Sequence, residues 1–256
     1  MLAVDECVNM PAILIFSSRE LVVRFATFGP LFQLIMMKKN NSSPKTLSEK
    51  VTDIIRQKLI IGELSPGQRL SEAALSEQLE ISRNTLREVF RVLTQEGLLR
   101  YEPNRGVFVA TPSIASIIDI YRIRRLIECQ ALAQSYPMHP AVEHMRGAIE
   151  MAKRCRDTQD WIGVGTANMA FHSAIVELTD SERLITFYGH ISAELRLAFG
   201  YLNDPELFYV PYIDQNAHIL ALLEKGEPES AASELKSYLE QSERTVLAAY
   251  MRKNRA

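Results

Sequence analysis

Arg83, Arg87 and Arg91 recur at intervals of four within ISRNTLREVFRVLTQEG. A residue four positions on lies about 40° further round a helix axis, so the three line one gently turning stripe. A guanidinium is a planar fork of donors that fits guanine O6 and N7, or a phosphate. Ser82, Asn84 and Thr85 add hydroxyl and amide groups at the leading end of the segment, where free backbone N–H groups also favour a phosphate. The chemistry on offer is recognition of double-stranded DNA. Arg91 lies a turn deeper and suits a backbone contact. The competing reading is a solvated surface helix decorated with arginine.

A second constellation lies further on. Asn168 and His172 stand four apart, on one face of a helix. Arg124 and Arg196 are the cationic candidates for holding an acidic small molecule. Each has a plainer reading: His172 as a core histidine, Arg124 paired with Glu128 one turn on, Arg196 as a surface residue. An enzyme using His172 as a general base is the other functional class, but no nucleophile motif, paired carboxylates or phosphate loop accompanies it.

The elements that must position these residues follow from periodicity. Leu47, Val51, Ile54, Ile55 and Leu59 recur at helical spacing. Gly62 and Pro66-Gly67 break that helix. A second helix starts near Ser71, with Ala74, Leu75 and Leu79 predicted to face inward. A third starts after Ser82, with Leu86, Val89, Phe90 and Leu93 as its apolar side and Gly97 just past its end. Two strand-like runs, 98–101 and 107–110, flank the turn residues Glu102 to Gly106. Three short helices and a hairpin are the order of a winged helix-turn-helix. Arg105 and Gly106 at the hairpin tip add a second DNA contact, and Gly106 supplies backbone freedom. Such a domain used only for protein contacts is the remaining alternative.

Beyond Thr111-Pro112, strand signals almost vanish. Amphipathic segments are predicted near 113–136, 140–156, 161–178, 181–202, 208–224 and 228–251, an all-α bundle. The fold class is therefore mainly α. Residues 44–112 form the winged helix-turn-helix and 113–252 the helical domain. Residues 1–43 form an extension, either poorly ordered or translated from a start assigned too early, with Met36 and Met37 as the later candidates.

Composition narrows the class. The 256 residues are 47% hydrophobic and 23% charged, with a net charge of −2, so DNA binding must rest on local pattern. Cys7, Cys129 and Cys155 form no paired motif, which fits a reducing cytoplasm. Arg19, Glu20 and Arg24 interrupt the apolar N-terminal run, so no membrane segment is expected.

ELSPGQRLSEAALSEQLEISRNTLREVFRVLTQEGLLRYEPNRGVFV resembles the DNA-binding domain of the GntR family of bacterial transcription regulators. The resemblance is carried by Pro66, Gly67 and Leu70 in the turn, by Ser82 to Val89, by Glu96-Gly97-Leu98, and by Arg105 to Val109 in the wing. Thr85 stands where many members have proline. Ala73 stands where a member uses arginine on DNA, so no contact is assigned to it. Arg69 in the turn is a candidate phosphate contact. The segment from Asp119 through Tyr121 and Arg124 to Glu128 is similar to the start of the FCD ligand domain of the FadR-type subfamily.

That resemblance implies a homodimer, a palindromic operator, and a small organic acid or related metabolite as effector. Repression is the implied sign; activation and a non-acid ligand stay open. Many FCD members hold a divalent metal through Asp or Asn and three histidines. Here the equivalent positions are Asn168, His172, Asn216 and Tyr238, with His218 turned elsewhere. Neutral amide and phenol groups do not replace imidazoles for zinc or nickel. No metal is therefore expected, and the four residues are read as a polar effector pocket. Tyr201, Phe208, Tyr209 and Tyr212 are candidates for its wall, or equally for filling the core.

Overall fold

The structure, a computed structural model, describes residues 45–60, 62–202 and 205–254, without the side chains of residues 205–207, 209 and 210. The expected extension over 1–43 and the side chain of Tyr209 lie outside the described residues. From Lys45 onward the chain packs as one compact unit.

The first helix, α1 (Leu47–Ile60), buries Val51, Ile55 and Leu59, spaced by four. Leu47, predicted on that stripe, is 55% exposed. It starts the helix, where no preceding turn covers it. Glycine at 62, with φ +81°, ends the helix in the left-handed conformation that favours glycine. Next come α2 (Glu72–Gln78) and α3 (Arg83–Gln95). Ser71 accepts the backbone N–H of Ala74, and Ser82 that of Thr85, so both helices start at a serine cap. Leu75 is buried in α2, but Ala74 is exposed and Leu79 only half-buried. Two turns of helix offer one inward stripe, and Leu75 with Ser76 occupies it.

Three strands make the wing: β1 (Arg69–Leu70), β2 (Leu99–Glu102) and β3 (Gly106–Val109), antiparallel in the order β1-β3-β2. The strand β1 was not predicted, because two residues carry no readable alternation. Its register sets Arg69 opposite Phe108, which also faces Arg100 on β2.

The helical half comprises α4 (Ile114–Ala133), α5 (Ala141–Asp157), α6 (Trp161–Glu177), α7 (Glu182–Leu202), α8 (Pro205–Glu224) and α9 (Pro228–Lys253). Helix α8 starts three residues before the apolar pattern suggested and runs through Pro211.

Two apolar cores result. The head core gathers Ile55, Leu59, Leu86, Val89, Phe90, Leu93, Leu98 and Val109. The bundle core is built from α4 to α9. Each fully buried Val, Leu or Phe contributes about 1.5–3 kcal/mol, so Leu86, Val89, Phe90 and Leu93 on α3 fix which face of that helix points outward. Helix α7 serves both cores. Its Ala193 and Leu197 belong to the head core, and its Leu195, Ala198 and Phe199 to the bundle core.

Candidate functional site: a nucleic-acid interface and a buried polar cluster

The outward side of α3 carries Arg83, Asn84, Arg87 and Arg91, all exposed, while Leu86, Val89, Phe90 and Leu93 are at most 3% exposed. Ser82 is exposed and Thr85 half-buried, their hydroxyls 2.9 Å apart at the helix start. Arg87 is held from behind: its Nε donates to Glu72 Oε2 at 2.9 Å, and its side chain stays 63% exposed. Nothing in the local spacing announced that pairing across fifteen residues.

On the wing, Arg105 and Arg100 lie over the Phe108 ring, with 5.4 and 5.1 Å from guanidinium carbon to ring centre. Both pair with Glu102. Gly106 has φ +99°, and a Cβ there would lie 3.7 Å from Arg69 Nε. Phe108 is 8% exposed yet outside the head core. It therefore serves as a platform for arginines on the outer face of the sheet. Arg100 was missed in the sequence; only the β register puts it beside Phe108.

The bundle holds a buried polar cluster at the meeting of α4, α6, α7, α8 and α9. Glu128 is its centre. Arg124 Nε donates to Glu128 Oε1 at 2.7 Å, and the Tyr188 hydroxyl donates to the same oxygen at 2.6 Å. His172 Nδ1 meets Glu128 Oε2 at 2.6 Å, and its Nε2 lies 2.9 Å from the Tyr238 hydroxyl. Asn216 Nδ2 donates to Asn168 Oδ1 at 2.8 Å, and the Tyr238 hydroxyl is 3.3 Å from that oxygen. The Tyr212 and Tyr238 ring centres are 4.6 Å apart. The Arg124 guanidinium sits 5.3 Å from the Tyr121 ring centre.

Electrostatics follow from burial. Burial alone would raise the Glu128 carboxyl, but Arg124 and His172 beside it hold it down at about 2. Burial pushes His172 below its ordinary value, against the pull of Glu128. A neutral imidazole protonated on Nδ1 donates to Glu128 and leaves Nε2 to accept from Tyr238. Burial raises the phenols of Tyr188 and Tyr238, so both stay protonated donors. The Arg124–Glu128 pair is charge-balanced, and the remaining groups are neutral. Asn216 Oδ1 is buried without a partner among the described residues.

Comparison with known proteins places this architecture. The family described as "Bacterial regulatory proteins, gntR family" matches residues 47–109, and the FCD domain matches residues 119–241. A crystal structure from Rhodococcus sp. RHA1, assigned to GntR, is 37% identical, with a TM-score of 0.75, over 79% of this chain and 98% of that one. The chain belongs to the GntR family. Among curated GntR-like relatives, the HTH-type transcriptional repressor RspR of Escherichia coli K12 is 22% identical over 78% of this chain and 89% of its own length. The Nta operon transcriptional regulator of Aminobacter aminovorans is 29% identical over 65% of this chain and 79% of its own length.

As a GntR-family regulator with an FCD domain, the chain invites a test for a divalent metal. Asn168, His172, Asn216 and Tyr238 do converge, while His218 is exposed on the far side of α8. Yet no group of three His, Cys, Asp or Glu able to hold a metal occurs among the described residues. Both nitrogens of His172 and both oxygens of Glu128 are engaged by protein groups. This donor set does not fit a tightly held zinc or nickel ion.

Arg124 joins the cluster; Arg196 does not. Arg196 is 7% exposed and donates from Nε to the Ile60 carbonyl at 2.8 Å and from Nη2 to the Ile162 carbonyl at 3.3 Å. Of the aromatic candidates, Tyr212 lines the cluster. Tyr201 instead packs 5.1 Å from the Tyr250 ring, and Phe208 packs 5.8 Å from the Phe199 ring. Tyr188 was missed, since a tyrosine sixty residues from Glu128 leaves no spacing signal.

Proposed function

We propose that this GntR-family regulator is a cytoplasmic, homodimeric repressor. It binds a palindromic operator through α3 and the wing, and its DNA affinity changes when the polar cluster takes up a small organic acid or related metabolite. One observation carries the DNA docking: the capped leading end of α3 presents Arg83, Asn84 and Arg87 outward, while Leu86, Val89, Phe90 and Leu93 of that helix are buried. A two-fold dimer sets two such helices about one DNA turn apart, which calls for a palindromic site. The name of the Escherichia coli relative supports repression. Arg69, Arg100 and Arg105 supply phosphate contacts beside the groove.

In the bundle, Arg124 is the cation for an acid, shared with Glu128. A second reading, a neutral hydrogen-bonding ligand, is favoured by the Arg124–Glu128 pairing and by Asn216 Oδ1, which is still open to a donor. No catalytic step is proposed. His172 is 1% exposed and engaged at both ring nitrogens. No described helix is long and apolar enough to cross a membrane.

The test is binding of the full chain to duplex DNA from upstream of its own gene across a salt series, with mass spectrometry of any co-purifying small molecule. Affinity that falls linearly in log–log form with salt, and drops in Arg87→Ala, supports the docking. Unchanged binding in Arg87→Ala overturns it.

A further inference from the structure

Helix α7 has two faces with different neighbours. On one face, His190 Nε2 lies 3.6 Å from Glu96 Oε1 at the end of α3, and Ala193 and Leu197 sit in the head core. On that face Gly200 packs beside Pro66, with a Cβ there meeting its ring at 3.4 Å, ordinary van der Waals contact. On the other face, Tyr188 donates to Glu128, Ser192 Oγ meets Met169 Sδ at 3.5 Å, and Leu195 and Phe199 enter the bundle core. Arg196 lies between the faces. Its guanidinium donates to the carbonyls of Ile60, the last residue of α1, and of Ile162, in the first turn of the helix that carries Asn168 and His172.

Carbonyls at the end of a helix lack partners within it and carry the negative end of its dipole, so a guanidinium satisfies both needs at once. Helix α1 is in turn fastened to the end of α3 by Arg56, whose Nη2 lies 2.8 Å from Glu96 Oε1. We propose that Arg196 is the positioning residue through which the polar cluster acts on the DNA-binding head. A shift of α6 or α7 at the cluster moves the guanidinium, which carries the end of α1, and α3 with it. Tyr188 and Arg196 are eight residues apart on one helix, about 12 Å, so a rigid α7 spans the distance. This inference rests on the cluster being the effector site.

Coupling is a free energy shared between two sites and shows as non-additivity in a double-mutant cycle. The measurement is the affinity of the full chain for labelled duplex DNA from upstream of its own gene, for wild type, Tyr188→Phe, Arg196→Met and the double variant. Tyr188→Phe disturbs the cluster and is expected to shift DNA affinity by about fivefold in the parent chain, and to leave it unshifted beside Arg196→Met. Equal shifts in both backgrounds, or no shift in either, overturn the proposal. Arg196→Lys keeps one donor for the Ile60 carbonyl and is expected to restore part of the shift; Arg196→Gln, too short to reach both carbonyls, replaces Arg196→Met if that variant fails to fold. Hydrogen exchange gives a readout that needs no DNA. The amides of Gly62 and Glu63, bonded to Leu59 and Lys58 carbonyls, exchange faster in Arg196→Met while those of α5 do not change. Unchanged exchange at Gly62 and Glu63 also overturns the proposal. Failure of the unaltered chain to bind any duplex would strike at the DNA docking instead, and the exchange result would still stand.

Discussion

Glu128 and His172 stand 44 positions apart in the chain and 2.6 Å apart in space. Their contact ties the first helix of the bundle to the third and fixes which nitrogen of the imidazole carries the proton. Arg124 and Tyr188 hold the other carboxylate oxygen, so one buried carboxylate is balanced by one buried guanidinium.

That arrangement predicts acid sensitivity. The folded Glu128 carboxyl sits at about 2, against an ordinary 4.5. A depressed carboxyl contributes stability that is fully present above the unfolded value and is lost as pH falls from about 4.5 towards 2. The contribution is on the order of 3 kcal/mol. His172 is also depressed, so its share begins to fade as pH drops below its ordinary 6.5. Melting temperature measured from pH 7 down to 3 is expected to fall, most steeply below about pH 4.5. In Glu128→Gln the loss below pH 5 flattens, from a lower starting stability.

The proposed docking makes DNA binding depend on the exposed arginines of α3. Arg87→Ala and Arg83→Ala are each expected to weaken specific DNA binding by about 1–3 kcal/mol, roughly fivefold to 150-fold. Melting should stay near wild type, since both side chains are exposed. Arg105→Ala weakens all duplexes more evenly and lowers the salt slope by about 1. Fluorescence anisotropy over a salt series separates these patterns.

Metal response can be installed. Zinc or nickel is expected to leave the melting temperature of the full chain unchanged. Asn216→His together with Tyr238→His supplies two imidazoles beside Asn168 and His172. The same ion at a hundredfold over its Kd should then add about 2.7 kcal/mol of stability. Differential scanning calorimetry with and without the metal reads both outcomes.

The wing turn is sensitive at a single backbone position. Gly106 holds φ +99° beside Arg69. Gly106→Ala should cost about 1–2 kcal/mol in a left-handed conformation and weaken DNA binding by misplacing Arg105. Thermal melting and anisotropy together check it.

The head was legible because its signals are local: serine caps, four-residue apolar spacing, and glycines at helix ends. The spacing of Asn168 and His172 places them on one face, but only the resemblance to FCD domains points to Asn216 and Tyr238. The charge at the centre of the cluster was not legible. Glu128 was read only as a neighbour of Arg124, because its bonds to His172 and Tyr188 cross 44 and 60 residues. Arg196 misled for a physical reason. A guanidinium suits a carboxylate ligand and a pair of backbone carbonyls equally well, and no sequence pattern marks which carbonyls lie within reach.

The shared wall of α7 bears on attempts at engineering. Grafting a foreign head onto this helical domain at the Thr111–Pro112 junction would leave behind Ala193 and Leu197, two side chains that complete the native head's interior. A working chimaera would need the transplanted head to arrive with a matching stripe on α7, so the natural cut for domain exchange is not a single point in the chain.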